Sequence, residues 1–148
     1  FRDYPINLLT VHISGGMSML IKAREAAHAI KSKIIGVSLL TSLDQKDIKR
    51  VFFNDTQKVA DNLFDLAKEA KMDGIVCSAH ELKYAMTNIP NLLKIVPGIR
   101  LSSSYDDQKR VMSPGEALKL GANHLVIGRP ITESKHPNAE LEKIYETL

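Results

Sequence analysis

Five short apolar runs recur along this chain, each followed by a segment with helical spacing, so the fold has to be assembled from βα units. The runs are Ile6 to Ile13 (INLLTVHI), Lys33 to Leu40 (KIIGVSLL), Gly74 to Ala79 (GIVCSA), Leu92 to Ile99 (LLKIVPGI) and His124 to Gly128 (HLVIG). None alternates strictly between apolar and polar residues, the pattern of strands buried on both faces in a parallel sheet flanked by helices. Between them, Met17 to Lys31 puts Met17, Leu20, Ile21, Ala27 and Ile30 on one side of a helix. Thr41 to Asp55 is a polar connection with room for one or two helical turns. Thr56 is the expected cap of a longer helix to Met72, with Val59, Leu63, Leu66, Ala67 and Ala70 in a stripe. A short helix is expected near His80 to Thr87. Another runs from Pro114, a favourable first position, to Gly121, and a final amphipathic helix covers Pro137 to Leu148.

The pattern fits a doubly wound open sheet and a piece of a (β/α)8 barrel alike. Five units are too few to close an eight-stranded barrel, which takes about 250 residues. Composition narrows the function classes. The chain is 44% hydrophobic and 25% charged, with a net charge of +3 and its Lys and Arg scattered. Aromatics are 5% and Trp is absent, so a nucleic-acid surface of basic stripes and stacking rings has little support. No apolar stretch approaches the roughly 20 residues of a membrane span. Phe1-Arg2-Asp3-Tyr4-Pro5 do not read as a signal peptide, and the reading is a cytoplasmic protein. The single cysteine, Cys77, lies inside an apolar run, where a small buried hydrophobe is expected rather than a nucleophile, and no Cys/His cluster has zinc spacing.

In parallel α/β proteins, ligand groups collect at the C-terminal ends of the strands. That rule selects His12 to Gly16, Thr41-Ser42, Ser78-Ala79, Pro97 to Arg100 and Gly128-Arg129-Pro130. Gly128 lets backbone approach an anion, and Arg129 offers a fork for phosphate oxygens. A plain turn with a solvated Arg would show the same three letters. The polar loop Arg100 to Ser113 carries Asp106-Asp107-Gln108-Lys109-Arg110-Val111. A charge run of this kind is ordinarily a solvated surface, but its length and position suit a lid, with Gln108 able to donate to a phosphate.

Taken together, LLTVHISGG (8–16), GVSLLTS (36–42), DGIVCSAHE (73–81), IVPGIR (95–100), DQKRVMSP (107–114) and LVIGRPIT (125–132) resemble orotidine 5′-phosphate decarboxylases, in that family's order and nearly its spacing. The resemblance implies a (β/α)8 barrel of which this chain covers the C-terminal five βα units, strands four to eight. It implies conversion of orotidine 5′-monophosphate to UMP without metal or organic cofactor, by a homodimer. It places Arg129 and the Gly128 amide on the 5′-phosphate, with Gln108 reaching it from the lid. Thr41 and Ser42 match the segment that reads the pyrimidine, Pro97 packs by the base, and Arg100 sits at the rim. His12, at the barrel mouth, takes a structural role.

One part of the family pattern is missing. Its Asp-x-Lys-x-x-Asp motif sits at the end of strand three, before anything in this chain. Asp44-Gln45-Lys46 continues Asp47-Ile48-Lys49, and Asp107-Gln108-Lys109 continues Arg110-Val111-Met112, so neither substitutes. No catalytic residue is therefore assigned, an N-terminal portion is expected ahead of Phe1, and these residues alone are expected to be inactive. Two rivals stay open: a sugar-phosphate decarboxylase of the same superfamily, and a non-catalytic module that binds nucleotide phosphates.

Overall fold

The structure, a computed structural model, describes residues 4–100 and 112–148. Five strands, β1 (Leu8–His12), β2 (Lys33–Val37), β3 (Gly74–Val76), β4 (Leu93–Pro97) and β5 (His124–Val126), form one parallel sheet in the order β1-β2-β3-β4-β5. The helices are α1 (Met17–Ala29), α2 (Gln45–Phe52), α3 (Thr56–Glu69), α4 (Leu82–Asn88), α5 (Pro114–Lys119), α6 (Arg129–Thr132) and α7 (Pro137–Tyr145), with a 3-10 turn at Ile13–Gly15.

Strand order separates the two architectures that periodicity left open. A doubly wound sheet reverses direction partway across. Here each strand is added beside the last, and right-handed crossovers then place every connecting helix on the same face. The register points to a barrel as well. The row of paired residues starting at His12, the last residue of β1, passes through Val37, Val76 and Ile95 and ends at His124, the first residue of β5. That is a slip from the fifth residue of one strand to the first of another, over four strand steps. Continued round eight strands, the slip is about eight residues, the shear of a closed (β/α)8 barrel.

Alternation assigns the two faces. Leu9, Val11, Ile34, Ile75, Val96 and Leu125 point to the helices and pack with Leu20, Leu63, Phe64, Leu82 and Ala85 in one core. Thr10, His12, Ile35, Val37, Val76, Ile95 and Val126 lie on the opposite face, which a closed barrel turns toward its lumen. Lys94 is an exception on the core side. It is buried, and its Nζ donates to the Pro90 carbonyl at 2.7 Å. Burial holds its ammonium below the usual lysine range.

Three of the helices stop in one way. The amides of Ser32, Met72 and Ala122 donate to the carbonyls of Ala27, Ala67 and Ala117, each at 3.0 Å. Lys31, Lys71 and Gly121 sit between them with φ of 60°, 55° and 100°. This is the Schellman termination, which satisfies the last helical carbonyls and turns the chain into the following strand. A polar residue then locks the new strand to its neighbour. The amides of Asp73 and Asn123 donate to the carbonyls of Ile34 and Lys94, and their side-chain oxygens accept from the amides of those same residues at 2.8 Å. Asp73 also meets His28 Nε2 at 2.8 Å.

Helix starts follow their caps. Ser113 and Glu116 form a reciprocal capping box with Pro114 at the first helical position of α5. The long helix α3 is capped by Asp55, whose carboxylate accepts from the Lys58 amide at 3.0 Å, and not by Thr56, which is its first helical residue. A carboxylate is the stronger acceptor of two neighbouring cap-forming residues. The polar connection after β2 contains α2, a two-turn helix with its own capping box at Asp44. The last helix ends at Tyr145, three residues before the expected end.

Candidate functional site

Because all five strands run parallel, the strand ends selected from the sequence lie on one edge of the sheet. The Pro97–Val126 pair is the last of the β4–β5 ladder, so Gly98 to Arg100 and Gly128-Arg129 emerge side by side. Pro97 is half-buried and closes β4. Gly98 has φ 76°, a turn that favours glycine, and a Cβ built on it meets nothing within 4 Å among the described residues. Gly128, at the N-cap of α6, likewise has nothing within 4 Å of a built Cβ among the described residues. Two glycines therefore leave backbone accessible at neighbouring strand ends, the arrangement by which loops take an anion closely.

Arg129 is the first residue of α6, exposed, and makes no ion pair among the described residues. An exposed guanidinium one residue after Gly128 brings a planar fork of donors to this strand end. Arg100 is half-buried, and its amide donates to the Met112 carbonyl at 3.2 Å, while Ile99 and Met112 form a bridge. The two ends of the polar loop thus meet next to the Gly98 turn. Gln108 and the rest of the DQKRV segment lie outside the described residues.

Thr41 and Ser42 are exposed in the turn between β2 and α2. From β2 to β5 is three strand spacings, about 14 Å along the sheet. The Thr41–Ser42 turn and the Gly128–Arg129 pair therefore stand at well-separated strand ends of the same sheet edge. His12 ends β1 on the lumen side and is exposed. Cys77 is 1% exposed, and burial, with the Glu81 carboxylate close by, pushes its thiol up to about 12. A thiol held protonated at neutral pH is a packing residue, as the sequence implied.

Two groups on this edge escaped sequence reasoning. Glu81 accepts from the Ser78 amide at 2.7 Å and fixes the turn that leaves β3. Burial raises its carboxyl above the usual range. The Ser78-x-x-Glu81 spacing of a capping box was its signal. Ser38 is buried, and its amide and hydroxyl both donate to the Val76 carbonyl, at 3.2 and 2.9 Å. Among the described residues no group of three or more His, Cys, Asp or Glu side chains is placed to hold a metal ion. No helix among them is long and apolar enough to cross a membrane.

Known proteins resemble this chain in sequence and in fold. Over 143 residues the chain is 45% identical to an orotidine 5′-phosphate decarboxylase of Ehrlichia chaffeensis, covering 94% of this chain and 62% of that protein. It is 40% identical over 145 residues to the enzyme of that name from Wolbachia pipientis, covering 97% and 64%. Among solved structures, orotidine 5′-phosphate decarboxylase from Lactobacillus acidophilus superposes with a TM-score of 0.79 at 30% identity, covering 96% of this chain and 63% of that one. The chain thus spans a little over three-fifths of the length of these relatives. Matched by the family model over residues 1–144, the chain belongs to the orotidine 5′-phosphate decarboxylase / HUMPS family.

Proposed function

We propose that this chain is the C-terminal part of a barrel that converts orotidine 5′-monophosphate to UMP, and that it supplies the loops gripping the two ends of the nucleotide. The observation that carries this reading is the pairing of β4 with β5, which sets the open Gly98 turn beside Gly128 and Arg129. In this reading Arg129 and the Gly128 amide hold the 5′-phosphate, and Gln108 reaches it. Thr41 and Ser42 face the pyrimidine, Pro97 packs against it, and Arg100 closes the rim.

In the reaction, the bond between the pyrimidine ring and its carboxylate breaks, CO2 leaves, and the ring carbon takes a proton. An enzyme must lower such a barrier by about 8–23 kcal/mol, chiefly through groups aimed at the reacting centre. The 148 residues contain no Asp-x-Lys-x-x-Asp to supply them. A phosphate grip is remote binding energy, useful only when such groups are there to exploit it. These residues alone are accordingly proposed to bind nucleotide without turning it over. Assembly as a homodimer in the cytoplasm belongs to the same proposal.

Calorimetric titration with UMP, uridine and ribose 5-phosphate tests the reading. Arg129→Ala removes a charge-assisted contact worth about 1.5–3 kcal/mol, a roughly tenfold to hundredfold loss in UMP affinity, and leaves uridine binding unchanged. Ribose 5-phosphate binding as tightly as UMP would refute pyrimidine recognition and favour a sugar phosphate. CO2 release from orotidine 5′-monophosphate by this polypeptide, abolished by Arg129→Ala, would refute the claim that it is inactive alone.

A further inference from the structure

The exposed Thr41–Ser42 turn is anchored at both ends by residues that precede and follow it. On the entry side, the last register pair of β2 and β3 is Val37–Val76, and Ser38 extends the grip one residue further. Its amide and its hydroxyl both donate to the Val76 carbonyl. Leu39 comes next and is buried in the core. On the exit side, the Asp44 carboxylate accepts from the amides of Lys46 and Asp47 at 2.7 and 2.9 Å, and Asp47 reaches back to the Asp44 amide. Only Leu40 to Leu43 lie between these anchors, and they are closed into a turn by the Leu43 amide on the Leu40 carbonyl at 3.1 Å.

A loop fixed in advance does not have to be ordered by its ligand. Fixing one residue's backbone costs about 1–2 kcal/mol, so a free turn of four residues would draw heavily on the binding energy of a small base. We propose that Ser38 and Asp44 are positioning residues that hold Thr41 and Ser42 ready for the pyrimidine, so that selectivity for the base is set by two groups that do not touch it. This rests on the nucleotide reading given above. The phosphate end, carried by β4 and β5, is anchored separately and does not depend on either residue.

The test uses Ser38→Ala and Asp44→Ala in the full chain, with Ser38→Thr and Asp44→Asn as variants that keep the hydroxyl and the cap acceptor. The first readout needs no ligand. Amide hydrogen exchange at Leu43, whose amide is bonded to the Leu40 carbonyl, is expected to rise about tenfold in the alanine variants, with Ile34 to Val37 unchanged and the conservative variants near wild type. In the second, UMP binds about tenfold more weakly to the alanine variants, while ribose 5-phosphate affinity stays within about twofold. Equal weakening of both ligands, or faster exchange without any loss of UMP affinity, would overturn the proposal. Should Ser38→Ala fail to fold, Asp44→Ala, at an exposed position, carries the same test by itself. If wild type does not prefer UMP to ribose 5-phosphate, the nucleotide reading fails and selectivity with it. Unchanged exchange in the alanine variants, by contrast, overturns the anchoring whatever the ligand.

Discussion

Gly74 opens β3 at a point where two strands leave no room for a side chain. A Cβ built there lies 2.7 Å from Leu93 Cβ, 2.7 Å from the Leu93 carbonyl oxygen and 2.9 Å from Ile35 Cδ1. Two of these three atoms cannot rotate away, because they belong to the backbone or are fixed to it. Gly74→Ala must therefore shift β3 against β4, an overpacking cost of about 1–3 kcal/mol. The smaller conformational freedom of alanine in the unfolded chain offsets about 0.4–1 kcal/mol of this. The net loss is about 1.5 kcal/mol, or roughly 3–6 °C in Tm for a domain of this size. Thermal melts followed by far-UV circular dichroism, with urea titrations for the free energy, measure it directly. Truncating Leu93 to Ala keeps both offending atoms, so the double variant shows no rescue. Gly36→Ala provides the contrast. Its new Cβ meets only side-chain atoms, Ile13 Cγ1 at 2.6 Å and Cδ1 at 2.9 Å and Met72 Cε at 3.6 Å, so Ile13→Ala relieves the crowding there. An unchanged Tm for Gly74→Ala, or its recovery on trimming Leu93, would refute the argument from close strand approach.

Other perturbations have equally definite outcomes. Phe64 is 1% exposed and stacks at a tilt on Tyr84 with ring centroids 6.0 Å apart, so Phe64→Ala costs about 3–5 kcal/mol in urea unfolding. Lys71→Gly relieves a side chain held at φ 55° and raises Tm, the gain being about 0.5–1 kcal/mol once the entropy of the new glycine is counted. Ser113→Ala removes a helix cap and costs about 1 kcal/mol, read from the same melts. Hydrogen bonds from the Asp47 and Lys58 amides hold the Asp44 and Asp55 carboxyls below their usual range, and the Ser113 hydroxyl does the same for Glu116. Their contribution is complete above about pH 5 and is lost as the pH falls through the lowered values; Tm measured against pH therefore drops on the acid side, and Asp55→Asn flattens part of that drop. Burial gives Glu81 the opposite sign, since its raised carboxyl favours the folded state only at low pH.

The alternation of strands and helices was legible because it lies in the order of residue types, and each of the five apolar runs contains a strand. Strand order was not, since it depends on which edges meet and no single run records that. Helix α6 was hidden by its length, four residues with a proline among them, too short for any periodicity. The cap of α3 was missed by one position because Asp55 and Thr56 are both cap formers, and residue type alone does not say which of the two stands outside the helix with its side chain on the Lys58 amide. On the site edge, Gly128, Arg129, Pro97 and Arg100 stood out by residue type at predictable strand ends. Ser38 did not, because a hydroxyl inside an apolar run reads as a minor interruption until the neighbouring carbonyl is located. The sequence could suggest which groups meet a ligand, but not which groups hold those groups in place.

The three identical helix endings have a consequence for how such a chain can change over generations. Stopping the helix, starting the strand and locking it to its neighbour are all accomplished at the rim opposite the Gly98 and Gly128 turns, by Ala27, Ala67 and Ala117 with the residues that follow them. The rim that carries Gly98 and Gly128 owes nothing to those bonds. A turn can lengthen, carry a helix of its own as the one after β2 does, or be grafted from one strand end to another, while the units beneath keep the same joints. New chemistry can then be tried on one rim without risking the architecture inherited on the other.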